Sequence, residues 1–202
     1  MTAEVKPYAE ACERNQDPIL AVLKRHFADR GRILEIGSGT GQHAVHFAAA
    51  LPQLLWQTSD LESNLSGIRL WVGEAHLANL LPPIALDVRG AWPSARYDAL
   101  FMANTLHIMS WDEVRALFAA LPGVLARDCV LAVYGPFNYD GAFTSASNAA
   151  FDAWLKQRSP HSGIRDFAAV DELARSIGLA LAEDRAMPAN NRMLVWRRET
   201  ST

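Results

Sequence analysis

Between Ile33 and Ala48 the chain reads ILEIGSGTGQHAVHFA: an apolar run, three glycines on alternate positions, then a helix-forming stretch that stops at Pro52. Such a unit is a strand, a tight turn and a helix, and its recurrence along a chain commits the fold to a parallel sheet, because parallel neighbours need long crossovers. It does recur. LLWQTSD, PIALDV, YDALFMAN and CVLAVYGPF read as strands, while NLSGIRLWVGEAHLANL and SWDEVRALFAALPGVLA read as helices, the second opened by Ser110 and Glu113 in the spacing of a capping box. Ahead of the glycine unit, Asp17 and Pro18 predict an N-cap and a first helical residue, with Leu20, Leu23 and Phe27 on one face and Gly31 at the end.

The C-terminal third departs from the alternation. DFAAVDELARSIG is an amphipathic helix closed by glycine, but LALAEDRAM and RMLVWRR are separated only by PANN and must form a hairpin. The expected fold is therefore α/β: a Rossmann-like, seven-stranded, mostly parallel sheet with helices on both faces and an antiparallel C-terminal hairpin. Residues 138–165 fit no element and are a candidate lid or substrate segment.

With 202 residues, half of them apolar, the chain suits one domain spanning 1–202. Nineteen basic and 22 acidic side chains give a net charge of -3, so no overall field draws it to nucleic acid or an anionic membrane, and a nucleic-acid partner is unsupported. No apolar run reaches the roughly 20 residues of a membrane span, and MTAEVKPYAEACERNQDP lacks a signal-peptide pattern, so the expected location is cytoplasmic. Cys12 and Cys129 stand far apart and read as unbridged thiols without a chemical role.

In an open parallel sheet, ligands bind beyond the carboxyl ends of the strands, where the turn after the first strand lies. Gly37, Gly39 and Gly41 permit positive φ and close ligand approach, and the next helix offers free N–H groups. A dinucleotide fingerprint would place its third glycine where Gln42 stands, and no Gly-Lys-Ser/Thr completes a phosphate loop. Both nucleotide phosphate readings lose ground, and a nicotinamide enzyme stays only as a distant alternative beside a plain tight turn and a site for S-adenosylmethionine (SAM).

The run Glu35-x-Gly37-Ser38-Gly39-x-Gly41 resembles motif I of class I SAM-dependent methyltransferases. The resemblance implies that Asp60, closing LLWQTSD, bonds the ribose hydroxyls and that Asp87, in ALDV, reads the adenine amino group. A narrower resemblance covers nearly the whole chain: ERNQDPIL, LEIGSGTGQHAVHFA, WQTSD, NTLHIM and YGPFNYDG are similar to the DUF938 family, to which methyltransferase-like protein 26 belongs. That implies a class I methyltransferase fold and SAM binding, with no particular acceptor.

Methyl transfer needs alignment of a nucleophile more than a dedicated catalytic group. His107, in the segment after the fourth strand, is the candidate general base, with packing under the next helix as its alternative; Asn104 can orient the methionine amino group or the acceptor. Arg14 and Asn15 precede the expected first helix, where Arg14 is placed to bind the SAM carboxylate, and Tyr134, Asn138 and Tyr139 are candidates for an acceptor pocket. His43 and His46 lie one turn apart but lack a third ligand, so no metal is expected. The segment after strand four lacks the Asn/Asp-Pro-Pro-aromatic signature of many amino-group methyltransferases. The leading expectation is methyl transfer to an unidentified small molecule; the alternatives are a catalytically idle SAM- or S-adenosylhomocysteine-binding interaction module and a methyltransferase of protein or RNA.

Overall fold

The computed structural model describes residues 5–198; the ends of the expected 1–202 domain and the first residues of the N-terminal stretch read for a signal lie outside them. The elements run α1 (Glu10–His26), β1 (Arg32–Ile36), α2 (Gln42–Ala50), β2 (Leu55–Asp60), α3 (Leu65–Ala75), β3 (Leu80–Ala85), β4 (Tyr97–Ala103), α4 (Trp111–Ala120) and β5 (Leu125–Gly135). They continue as β6 (Phe137–Asn138), α5 (Ala146–Arg158), β7 (Arg165–Asp166), α6 (Phe167–Ser176), β8 (Leu179–Met187) and β9 (Asn191–Arg198). The seven-stranded sheet has the order β3-β2-β1-β4-β5-β9-β8, and β6 pairs with β7 apart from it. Pairs among β1 to β5 are parallel, while β9 is antiparallel to both β5 and β8, as the short PANN connection requires.

Successive residues of a strand face opposite sides, so the continuous apolar runs of β1, β4 and β5 feed two cores. Leu34, Leu100, Met102 and Leu131 pack with Phe118 of α4 and Val170 of α6. Ile33, Ala99, Phe101 and Val130 pack on the other side with Leu23 of α1 and Phe47 of α2. There the Phe47 ring meets Phe101 edge-on at 5.5 Å and Trp56 at 5.7 Å, so the helix behind the glycine turn is anchored by an aromatic cluster.

The structure corrects several boundaries, among them that of the fourth helix, which stops at Ala120 so that Leu125 and Ala126 open β5 instead. The first helix begins at Glu10, so Asp17 is not its N-cap and Pro18 lies inside it. Pro18 removes the partner of the Arg14 carbonyl, but Arg14 is exposed to water, and the buried face from Asn15 through Ile19, Leu20 and Leu23 holds the helix across the proline. α3 stops at Ala75, with His76 at φ 49° as its left-handed end, rather than running to Leu80. β3 starts at Leu80 and ends before Asp87; Pro82 and Pro83 fit within it because β3 is an edge strand, and its register with β2 shifts beside them. The unassigned stretch 138–165 folds as α5 between the two short strands β6 and β7. No helix among the described residues is long and apolar enough to cross a membrane.

Candidate cofactor cleft

The glycine turn is stitched to β2. Gly37 N and Ser38 N both donate to the Ser59 carbonyl at 3.0 Å, and Ser59 N donates to Ser38 Oγ at 3.1 Å. Gly37, Gly39 and Gly41 have φ of 76°, 58° and 92°, and the space around them separates their roles. A Cβ on Gly37 would stand 2.8 Å from Thr105 Cγ2 and one on Gly41 3.2 Å from Trp71 Cβ, whereas one on Gly39 meets nothing within 4 Å. Gly37 and Gly41 are thus required by packing, and Gly39 is the glycine with an open side. Gly37→Ala is expected to lower the unfolding free energy by about 2–3 kcal/mol, from a left-handed alanine plus overpacking against buried Thr105. Gly39→Ala, strained but unclashed, is expected to cost about 1 kcal/mol. Urea unfolding of the two variants checks the difference.

A cleft of about 520 Å³ opens beyond the sheet, and Gly37, Ser38, Gly39, Asp60, Asp87 and Asn104 all line it. Asp60 ends β2 with its carboxylate fixed from three sides: Gly39 N donates to Oδ2 at 2.7 Å, while Leu61 N and Asn64 Nδ2 donate to Oδ1 at 2.8 and 2.7 Å. With up to four lone-pair positions on a carboxylate, Oδ2 keeps one for a further donor. Asp87 is exposed beyond β3 and accepts Arg89 N at 2.9 Å, forming an Asx turn. Asn104 follows β4 at φ 57°, a conformation asparagine tolerates better than most residues, and its backbone N donates to the Tyr134 carbonyl at 2.8 Å.

Other expected site residues do not line the cleft. Glu35 is buried beneath the turn and accepts Trp56 Nε1 at 3.0 Å; burial pushes its carboxyl up to about 7, with bonds from Trp56 and Ser38 pulling it back. Gly41 backs onto α3. Arg14 is exposed on α1 and pairs with Glu10 at 3.0 Å, away from the cleft wall formed by Ala11 and Cys12. Asn15 is buried one layer behind, its Oδ1 2.6 Å from His43 Nε2. His107 is buried with its ring edge-on to Phe151 of α5 at 5.3 Å, and burial pushes it down to about 4. The ring thus packs on α5 rather than under α4, the next helix, and it does not line the cleft. Tyr134 and Tyr139 are tied to Asn191 at 3.0 Å and Asp184 at 2.7 Å, and neither they nor Asn138 lines the cleft.

The cleft also gathers residues that the sequence reading passed over: Cys12, Thr40, His43, Leu61, Asn64, Leu86, Val88, Thr105, Ile108, Met109 and Glu113. Leu86 and Val88 flank Asp87, and Ile108 and Met109 follow His107 directly, so these apolar residues lie within the stretches already singled out. His43 carries a signal in its place in the first turn after the glycines; burial pushes it down to about 4, so it stands neutral and donates its Nε2 hydrogen to Asn15. Glu113 caps α4, accepting Ser110 N at 2.7 Å and the Ser110 hydroxyl at 2.8 Å.

Comparison with solved structures finds the same architecture in an O-methyltransferase family protein from Burkholderia thailandensis, with a TM-score of 0.83 at 19% identity over 96% of this chain and 59% of that one. The mitomycin 7-O-methyltransferase MmcR superposes with a TM-score of 0.81 at 18% identity, over 94% of this chain and 54% of its own. PigF, solved with S-adenosylhomocysteine (SAH), gives 0.76 at 15% identity, over 90% of this chain and 55% of its own. The chain thus spans between 54% and 59% of the length of these three proteins. The sheet order and the glycine turn are those of the class I methyltransferase fold, and a family model described as "Protein of unknown function (DUF938)" matches residues 6–198: the chain belongs to the DUF938 family.

Proposed function

We propose that residues 5–198 act as one domain that binds SAM in the cleft and transfers its methyl group to a small-molecule acceptor. The observation that carries this reading is the Asp60 carboxylate, locked to the N–H of the one glycine of the turn with an open side and keeping an acceptor position for a hydroxyl. The cleft fits the group. Its volume of about 520 Å³ lies within the range of small-molecule cofactor sites. Asp60 would hold ribose hydroxyls, and Asp87 an adenine amino group between apolar Leu86, Val88, Ile108 and Met109. Asn104 would meet the methionine portion.

Bound SAM supplies a methyl carbon activated by a sulfonium. The chain's own contribution is alignment and exclusion of water. His107 does not line the cleft and the Glu113 carboxylate accepts from Ser110, which favours an acceptor atom that is nucleophilic without help from either. The SAH bound by PigF and the acceptor named for MmcR support a small-molecule methyltransferase by analogy of fold. Calorimetric titration of SAM, and separately of NAD, into the purified protein tests the proposal. Micromolar SAM binding without NAD binding is expected; a folded, ligand-free protein that takes up no SAM would sink it. Methyl transfer from labelled SAM into a metabolite extract then separates turnover from an idle binding module.

A further inference from the structure

The amide of Ala9, just ahead of α1, donates to Gln42 Oε1 at 2.6 Å, and the same oxygen accepts the Thr40 hydroxyl at 3.0 Å. Gln42 is buried at the start of α2, immediately after the glycine turn. Upstream of Ala9 the chain is seated on α3. Trp71 Nε1 donates to the Pro7 carbonyl at 2.7 Å, and Lys6 Nζ lies 3.9 Å from the centre of the Trp71 ring and pairs with Glu74. Pro7 fills the space that a side chain at Gly67 would need: a Cβ there would come within 2.6 Å of Pro7 Cγ.

Residues 6–9 therefore form a strap from α3 to α2, and the residues it leads into, Ala9, Ala11 and Cys12, line the cleft. Val5 and Pro7 border a second hollow of about 430 Å³ that shares Gly39, Thr40 and Asn64 with the cleft. A long side chain at position 42 obstructs the close approach of a pyrophosphate to the turn, and here it has a use of its own. We propose that Gln42 is a positioning residue for the cofactor: by holding the Ala9 amide it fixes the strap as a wall of the cleft and slows cofactor release. The proposal rests on SAM being the ligand of the cleft.

Three variants of the full chain test it, read by hydrogen exchange over residues 8–12 without ligand and by the SAM dissociation rate. Gln42→Ala removes the acceptor oxygen. Gln42→Glu keeps an oxygen in its place. Gly67→Ala pushes Pro7 from the α3 side at a position outside the cleft, where alanine favours the helix, so a weaker cofactor complex there is not a sign of general unfolding. Gln42→Ala and Gly67→Ala are expected to exchange faster and to release SAM about five- to tenfold faster, the effect of losing one hydrogen bond. Gln42→Glu should stay within about twofold of wild type. Unchanged exchange in Gln42→Ala overturns the proposal, and so does faster exchange with unchanged SAM release. A wild type that binds no SAM overturns the cofactor reading and this proposal with it; a wild type that binds beside a Gln42→Ala protein of equal release overturns the proposal alone.

Discussion

Asp60→Ala is expected to reduce SAM affinity by about two orders of magnitude. The carboxylate is the group on which the turn and the proposed ribose site meet, since its Oδ2 accepts Gly39 N and its Oδ1 accepts Leu61 N and Asn64 Nδ2. Hydrogen bonds to a charged group contribute about 1.5–3 kcal/mol each, so loss of even one to the ligand is worth at least tenfold. The rest comes from the turn: without the carboxylate, Gly39 N is no longer held and the open side of the glycine loses its fixed orientation. Binding and stability are separable here, because the freed N–H groups border a water-accessible cleft and can be rehydrated. The unfolding free energy should fall only modestly, by about 1–2 kcal/mol. Asp60→Asn, which keeps acceptor capacity but introduces a competing donor, should fall between the two. Calorimetry alongside urea unfolding checks this; SAM binding of wild-type strength by a folded Asp60→Ala protein would remove Asp60 from the site.

Glu35→Gln is expected to stabilise the protein at pH 8 by on the order of 2–3 kcal/mol while changing little at pH 4. Burial is the main cause: Glu35 is 2% exposed, its folded pKa is pushed up from 4.5 to about 7, and the neighbouring Asp60 charge acts in the same direction. The folded state therefore binds this proton more tightly than the unfolded state. The stabilisation is complete below about pH 4.5, drains away as pH rises to about 7, and is absent above. Glutamine is never ionised, and its amide oxygen still accepts the Trp56 indole hydrogen. The difference in unfolding free energy between variant and wild type, followed from pH 4 to 8, should grow through that window and then level. A difference independent of pH would mean that Glu35 does not carry the shift.

The fold was legible in the sequence because strand and helix periods differ and glycines such as Gly37 to Gly41 and Gly178 punctuated them; even the antiparallel hairpin followed from the shortness of PANN. What misled was local signal of the wrong rank. Asp17-Pro18 is a good helix start by chemistry, yet α1 begins at Glu10, because the buried face that includes Asn15 and Ile19 continues across the proline. Within the cleft, the acids at strand ends were found since strand ends are readable. Within NTLHIM, Asn104 was among the expected residues but Thr105, Ile108 and Met109 were not, since which of them faces the cleft depends on the left-handed Asn104 and the turn that follows. Asn15 with His43, and Ala9 with Gln42, are 28 and 33 residues apart; only the packing of α1 on α2 brings them together.

Pro82 and Pro83 lie in the strand at one border of the sheet, and Glu183, Asp184 and Arg185 lie in β8 at the other. Prolines offer no N–H to an incoming strand, and charged side chains in both orientations penalise apolar stacking of a second sheet edge. Growth of the sheet, whether into a dimer or into an ordered aggregate, is therefore opposed at β3 by missing donors and at β8 by charge. The helical faces and the mouth of the cleft carry neither obstacle, and an interface search by crosslinking should begin there.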